Sequence, residues 1–164
     1  MKRLNFLTLT MIALAGFMAI TVWAANPHFI NCGANGVNSN GTLRACFKIS
    51  GLGDSQNVTV TASATANATY GCLNRGGQCP NAANKVNVQA DVGSTGTFPS
   101  GKNGSVTACL TVDPPPTTLT CPGGQRLVLV SVSYSNVTMS SDASADTCAA
   151  SPGTFAANFF PNCP

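Results

Sequence analysis

The chain has 164 residues, with eight Lys and Arg, five Asp, no Glu and one His, for a formal net charge of +3. So few basic side chains form no stripe for phosphate contacts, which argues against a nucleic-acid partner. One histidine excludes a blue-copper centre with its two imidazoles, and the length suits one domain.

Residues 1–24 read as a targeting segment. Lys2 and Arg3 make a basic start, Leu4 to Val22 is largely apolar, and Val22-Trp23-Ala24 has the pattern of a cleavage site. The competing reading is a membrane anchor, because the apolar run is nearly long enough to span a bilayer. The basic start and the Val-Trp-Ala site favour a signal peptide. Residues 25–164 are then one secreted domain, with no membrane contact after cleavage. Without Lys2 and Arg3, six basic side chains stand against five Asp, a net of +1.

The remaining chain alternates apolar and polar residues in one run after another, the period of a half-buried strand. In chain order, Leu43, Ala45, Phe47 and Ile49 form the first apolar row, followed by Val58, Val60, Ala62, Ala64, Ala66, Ala68 and Tyr70. Then come Val86, Val88, Ala90 and Val92, running on loosely to Phe98, and Val106, Ala108, Leu110 and Val112. Val128, Val130, Val132 and Tyr134 follow, but the phase slips to Val137 and Met139. A β-bulge is therefore expected at Ser135-Asn136. Phe155, Ala157 and Phe159 close the series. Between the runs lie Gly-Leu-Gly-Asp, Asn-Arg-Gly-Gly, Pro-Ser-Gly-Lys-Asn-Gly and Asp-Pro-Pro-Pro, which are turn or loop chemistry. No stretch after residue 24 has a helical period. Six or seven such strands predict an all-β fold, an antiparallel β-sandwich of immunoglobulin-like type stapled by disulfides. A parallel solenoid would need a short repeat of fixed length, and none is present.

The longest run has the most regular polar face: Thr59, Thr61, Ser63, Thr65, Asn67 and Thr69. β-branched Thr suits strands, and a polar row facing water is what the outside of a sandwich shows. The same row is also the candidate binding face, a flat hydroxyl array for ice, sugar or a neighbouring subunit. The strand has no charge between Asp54 and Arg75, and so none of the Lys that guards exposed edges. It is expected at the centre of its sheet, flanked by 43–49 and one other strand.

All eight cysteines follow residue 24, and an even count in an exported chain reads as four disulfides. If consecutive strands pair antiparallel, Cys72, Cys79, Cys109 and Cys121 gather at one end. Cys46 points to the wet face of an early strand, and Cys148 precedes the last strand. Cys32 and Cys163 flank the strand set, where they would tie the termini. Eight cysteines admit 105 pairings, so this geometry narrows the choice without deciding it. Ala-Thr-Tyr-Gly-Cys-Leu-Asn-Arg-Gly-Gly at 68–77 is followed by Gly-Thr-Phe, Gly-Lys-Asn-Gly, Thr-Cys-Pro-Gly-Gly-Gln at 120–125 and Val-Ser-Val-Ser-Tyr-Ser-Asn-Val-Thr. This pattern resembles a group of small exported bacterial β-sandwich proteins of unknown function, over roughly residues 57 to 160. The resemblance implies a Cys72–Cys121 bridge and supplies no activity.

Catalytic chemistry is sparse. His28 is the only histidine and lies close to the expected mature start, where chains are usually mobile. No two of the five Asp are placed as a glycosidase pair. Asp142 and Asp146 are too few oxygen ligands for a calcium loop and read as a solvated loop. Five Asn-x-Ser/Thr sequons occur, at Asn40, Asn57, Asn67, Asn103 and Asn136. In a chain this rich in Asn, Thr and Ser they read as chance. The expectation is a secreted, non-enzymatic protein with no catalytic residues, metal or cofactor. Its role would be structural, matrix or adhesive, and its partners other copies of itself or cell-surface components. The alternative is an extracellular binding module for carbohydrate or another neutral ligand.

Overall fold

The computed structural model describes residues 26–79 and 84–161. Residues 1–24, read above as a targeting segment, and Cys163 lie outside the described residues. The strands, in chain order, are β1 (His28–Val37), β2 (Leu43–Ser50), β3 (Asn57–Leu73), β4 (Lys85–Pro99), β5 (Val106–Val112), β6 (Arg126–Ser141), β7 (Ser144–Ala149) and β8 (Thr154–Asn158). They form two antiparallel sheets: β1-β2-β5, and β4-β3-β6-β7 with β8 also paired to β6.

The alternation is what makes these sheets pack. Leu43, Ala45, Phe47 and Ile49 of β2, the even positions of β3 from Val58 to Ala68, and Val106, Leu110 and Val112 of β5 are all buried in one core. Val132, Tyr134, Val137 and Met139 of β6 complete it. At about 25 cal/mol per Å² of apolar surface, such rows are the main force holding the two sheets together. Alanine fills four of the β3 positions, Ala62, Ala64, Ala66 and Ala68, which lets the sheets approach closely but gives less burial per position.

The slip in β6 is a bulge. Ser63 pairs with Thr138 and Thr65 with Ser135, so two residues of β6 oppose one of β3. Asn136 absorbs the extra residue at φ 53 in the left-handed region, which asparagine tolerates better than most side chains. A second shift between Thr69 and Tyr70 turns Val130 to the outer face. There it joins Leu73, Val128, Cys79 and Phe160 in a small separate cluster.

β3 is central, as its lack of charge requires, but its neighbours are β4 and β6. The expected neighbour 43–49 is in the other sheet, between β1 and β5. The reason lies in residues 51–56. Gly51, Gly53 and Ser55 all take positive φ, and buried Leu52 donates its N–H to the Gly104 carbonyl at 2.9 Å. The segment crosses the core between sheets instead of folding back as a hairpin.

Three bridges join described residues, and Cys79 is also disulfide-bonded. Cys72 pairs with Cys121. Beside that bridge the Tyr70 hydroxyl donates to the Pro115 carbonyl at 2.7 Å, which fixes the proline-rich crossing between β5 and β6. Cys109 does not gather with the cysteines at the Tyr70 end. Its strand crosses to the smaller sheet, where Cys109 lies directly opposite Cys46 and bonds to it. Nor is Cys32 available to Cys163. It is bonded to Cys148, because β1 passes along β7 and Gly33 bridges to Ser151.

The candidate polar face of the larger sheet

The six residues singled out on β3 stand on the outer face of the larger sheet, half-buried or exposed. The register explains why they form rows. Each Thr of β3 faces a polar residue of β4 directly across the ladder, and at this spacing short hydroxyls meet. Thr59 and Thr97 hydroxyls lie 3.2 Å apart, and those of Thr61 and Thr95 2.9 Å apart. Thr65 donates to the Asp91 carboxylate at 3.0 Å, and Thr69 to the Asn87 side-chain oxygen at 2.8 Å. Ser63 faces Gly93, and Asn67 faces Gln89. On the other side Ser131, Ser133, Ser135 and Thr138 of β6 continue the rows.

One part of this face is concave. Asn67, Thr69, Asn87, Ser131, Ser133 and Asn158, with Val132, Ala156 and Ala157, line a shallow depression of about 540 Å³. Its walls carry amides and hydroxyls but no ionisable and no aromatic side chain. It offers hydrogen bonds to a polar ligand and no charged side chain to pair with an ionic one. The β4 and β6 members were legible as the polar phase of their own strands. Their place beside β3 was not, because strand order across a sheet leaves no local signal.

The residues weighed for chemistry are far less organised. The Nδ1–H of exposed His28 donates to the Asn26 carbonyl at 2.8 Å. Asp142 sits in the β6–β7 turn and accepts the Thr59 backbone N–H at 2.9 Å, a structural role. Exposed Asp146 lies on β7, not in a loop. Among the described residues no three His, Cys, Asp or Glu groups are placed to hold a metal ion. Both tyrosines are displaced from ordinary acidity: burial raises Tyr70, and burial, then Asp113 and Tyr70, raise Tyr134 further. Each phenol donates to a backbone carbonyl, Tyr134 to Gly41 at 2.7 Å, so both serve packing. Comparison of the chain with known protein families, with curated proteins and with solved structures finds no match.

Proposed function

We propose that this chain is a secreted, non-enzymatic β-sandwich of immunoglobulin-like type with a structural, matrix or adhesive role. The strand order supports the sandwich type. With β1 to β7 taken as A, B, C, C′, E, F and G, the sheets read A-B-E and C′-C-F-G, with β8 continuing G after a break. The parallel bridge between Gly33 and Ser151 sits where A meets G. Export is supported by the bridges, since disulfides persist in oxidising compartments.

The observation that carries the structural role is the internal pairing of the β3 threonines on the outer face. Their hydroxyls bond to partners on the neighbouring strand, from Thr59–Thr97 to Thr69–Asn87. A face whose threonine hydroxyls are spent on the neighbouring strand leaves fewer groups to reach a ligand, and suits a scaffold better than a receptor. Fractionation of the native secretion tests this. The protein is expected in the cell-surface or matrix fraction, released by denaturant and not by salt. Recovery entirely as free protein in the medium would count against it.

A second reading, a binding module for neutral carbohydrate, is favoured by the depression at Asn67, Asn87 and Asn158. A glycan array probed with the oxidised protein decides between them. Binding that Asn67→Ala removes would move the assignment to this module.

A further inference from the structure

We infer that β4 is the edge through which two copies of this chain pair, antiparallel, about a two-fold axis at Val88. Among the described residues β4 pairs only with β3, so its other side presents open N–H and C=O groups. The strand runs fifteen residues with no register shift against β3, and so is not blunted by a bulge. Its only charges are Lys85 and Asp91, and proline comes only at its last residue, Pro99. Natural edges of this length are normally guarded by lysines, prolines or bulges, and an unguarded one is a template for another strand.

Two independent features centre on the same residue. The first is apolar surface. At the far end of β4, Gly96 lies against Leu110 and Phe98 packs edge-on to Phe47 with ring centroids 5.4 Å apart. Val92 and Phe98 both join the core. Among the described residues, Val86, Val88 and Ala90 belong to neither apolar cluster and are only half-buried, so the uncovered row is centred on Val88. The second is charge. Lys85 and Asp91 stand three residues either side of Val88 and share the outer face.

Antiparallel pairing about Val88 therefore sets Lys85 of each copy opposite Asp91 of the other. It also sets Val86 opposite Ala90 and Asn87 opposite Gln89, and keeps inner residues inner and outer residues outer. Cross-strand pairs of opposite charge stabilise a ladder, and like charges directly opposite oppose it. A two-fold pairing about Asp91 itself would set the two carboxylates against each other. The Asp91 carboxylate is already held on the outer face by the Thr65 hydroxyl at 3.0 Å. The occupant that fits is a second copy of the same strand, in an isologous contact that closes at two.

This deepens the structural reading and rests on it for its purpose, but not for its geometry. The test is analytical ultracentrifugation of the oxidised, secreted protein across a concentration series, with circular dichroism to show that each variant is folded. The expected result is a concentration-dependent dimer. Val88→Lys is expected to be monomeric throughout. Lys85→Asp and Asp91→Lys each turn two attractions into two repulsions, and should weaken the dimer about ten-fold or more. The double variant Lys85→Asp/Asp91→Lys should recover it. A monomer at every concentration overturns the inference, as does a dimer unaffected by Val88→Lys or a double variant no better than the singles. An assembly that survives Val88→Lys removes this interface and leaves the structural reading standing. A Val88-dependent dimer found only as free protein in the medium does the reverse.

Discussion

Among the described residues Tyr134 has the largest fully buried side chain, and its hydroxyl reaches two elements at once. It donates to the Gly41 carbonyl at 2.7 Å and lies 3.4 Å from that of Val112, tying β6 to the β1–β2 turn and the end of β5. Gly41 holds φ +89, and a Cβ there would collide with the Leu129 side chain, so the turn that presents this carbonyl needs glycine. Tyr134→Phe leaves the carbonyl partly unmet, and should lower stability by about 1–3 kcal/mol in urea unfolding. The same residue sets an alkaline limit. In the unfolded chain a tyrosine loses its proton near pH 10, whereas burial holds the Tyr134 phenol protonated well beyond that. Above about pH 10 the unfolded state binds fewer protons than the native one, so stability falls as pH rises. Below that pH the contribution is complete. The urea midpoint is expected to be flat up to about pH 10 and to decline above it, less steeply in Tyr134→Phe, where only Tyr70 remains to act.

At the scale of the element, β6 shows how a strand serves two phases. Its bulge at Asn136 keeps Val132 and Tyr134, and then Val137 and Met139, in the core. Asn136→Ile forces a branched side chain into the left-handed region, and should cost about 1–2 kcal/mol or more, while Asn136→Gly should be nearly neutral. Thermal melting of the two variants checks this. The outer rows behave differently. Thr61→Lys with Thr65→Lys exchanges half-buried hydroxyls for long side chains that reach water, one beside Asp91. Stability should shift by no more than about 0.5 kcal/mol; a larger loss would show that another surface covers this face. The bulge and the central strand were readable because alternation and its slip are local signals. β1 and β7 were not readable as strands. β1 is His-Phe-Ile-Asn-Cys-Gly-Ala-Asn-Gly-Val, with two register shifts and Cys32 as its only buried residue, so no period survives. β7 has no fully buried residue at all. The partners of the β3 hydroxyls and the sheet that holds β2 depend on which strands cross the core. The link at 51–56, with Gly51, Gly53 and Ser55 at positive φ, makes that crossing, and strand alternation does not report it.

Across the whole molecule, the bridges divide by what each one closes. Cys46 and Cys109 face each other on strands already paired by a full ladder, so their bond adds little order to the native sheet. Cys72–Cys121 spans 49 residues and secures the proline-rich crossing. Cys32–Cys148 spans 116 residues and fastens β1 to β7, strands that share no hydrogen-bonded ladder; the one backbone bridge nearby joins Gly33 to Ser151, just past β7. Loop-closure entropy favours the longest link only slightly, at about 5 kcal/mol for 116 residues against about 4 for the 63 residues that Cys46–Cys109 closes. β1 has one buried residue, Cys32, and β7 has none, so less apolar burial backs up this bridge than the ladder behind Cys46–Cys109. Replacing Cys32 and Cys148 together by Ala should therefore lower the melting temperature more than replacing Cys46 and Cys109. At a few degrees per kcal/mol, complete reduction should lower it by more than about 10 °C. A core in which Ala62, Ala64, Ala66 and Ala68 stand where larger side chains could bury more leaves the fold dependent on these constraints. Calorimetry with and without reductant, on the wild type and the two paired variants, measures each contribution. Equal losses from the two pairs would show that stability here follows ladder geometry and not loop length.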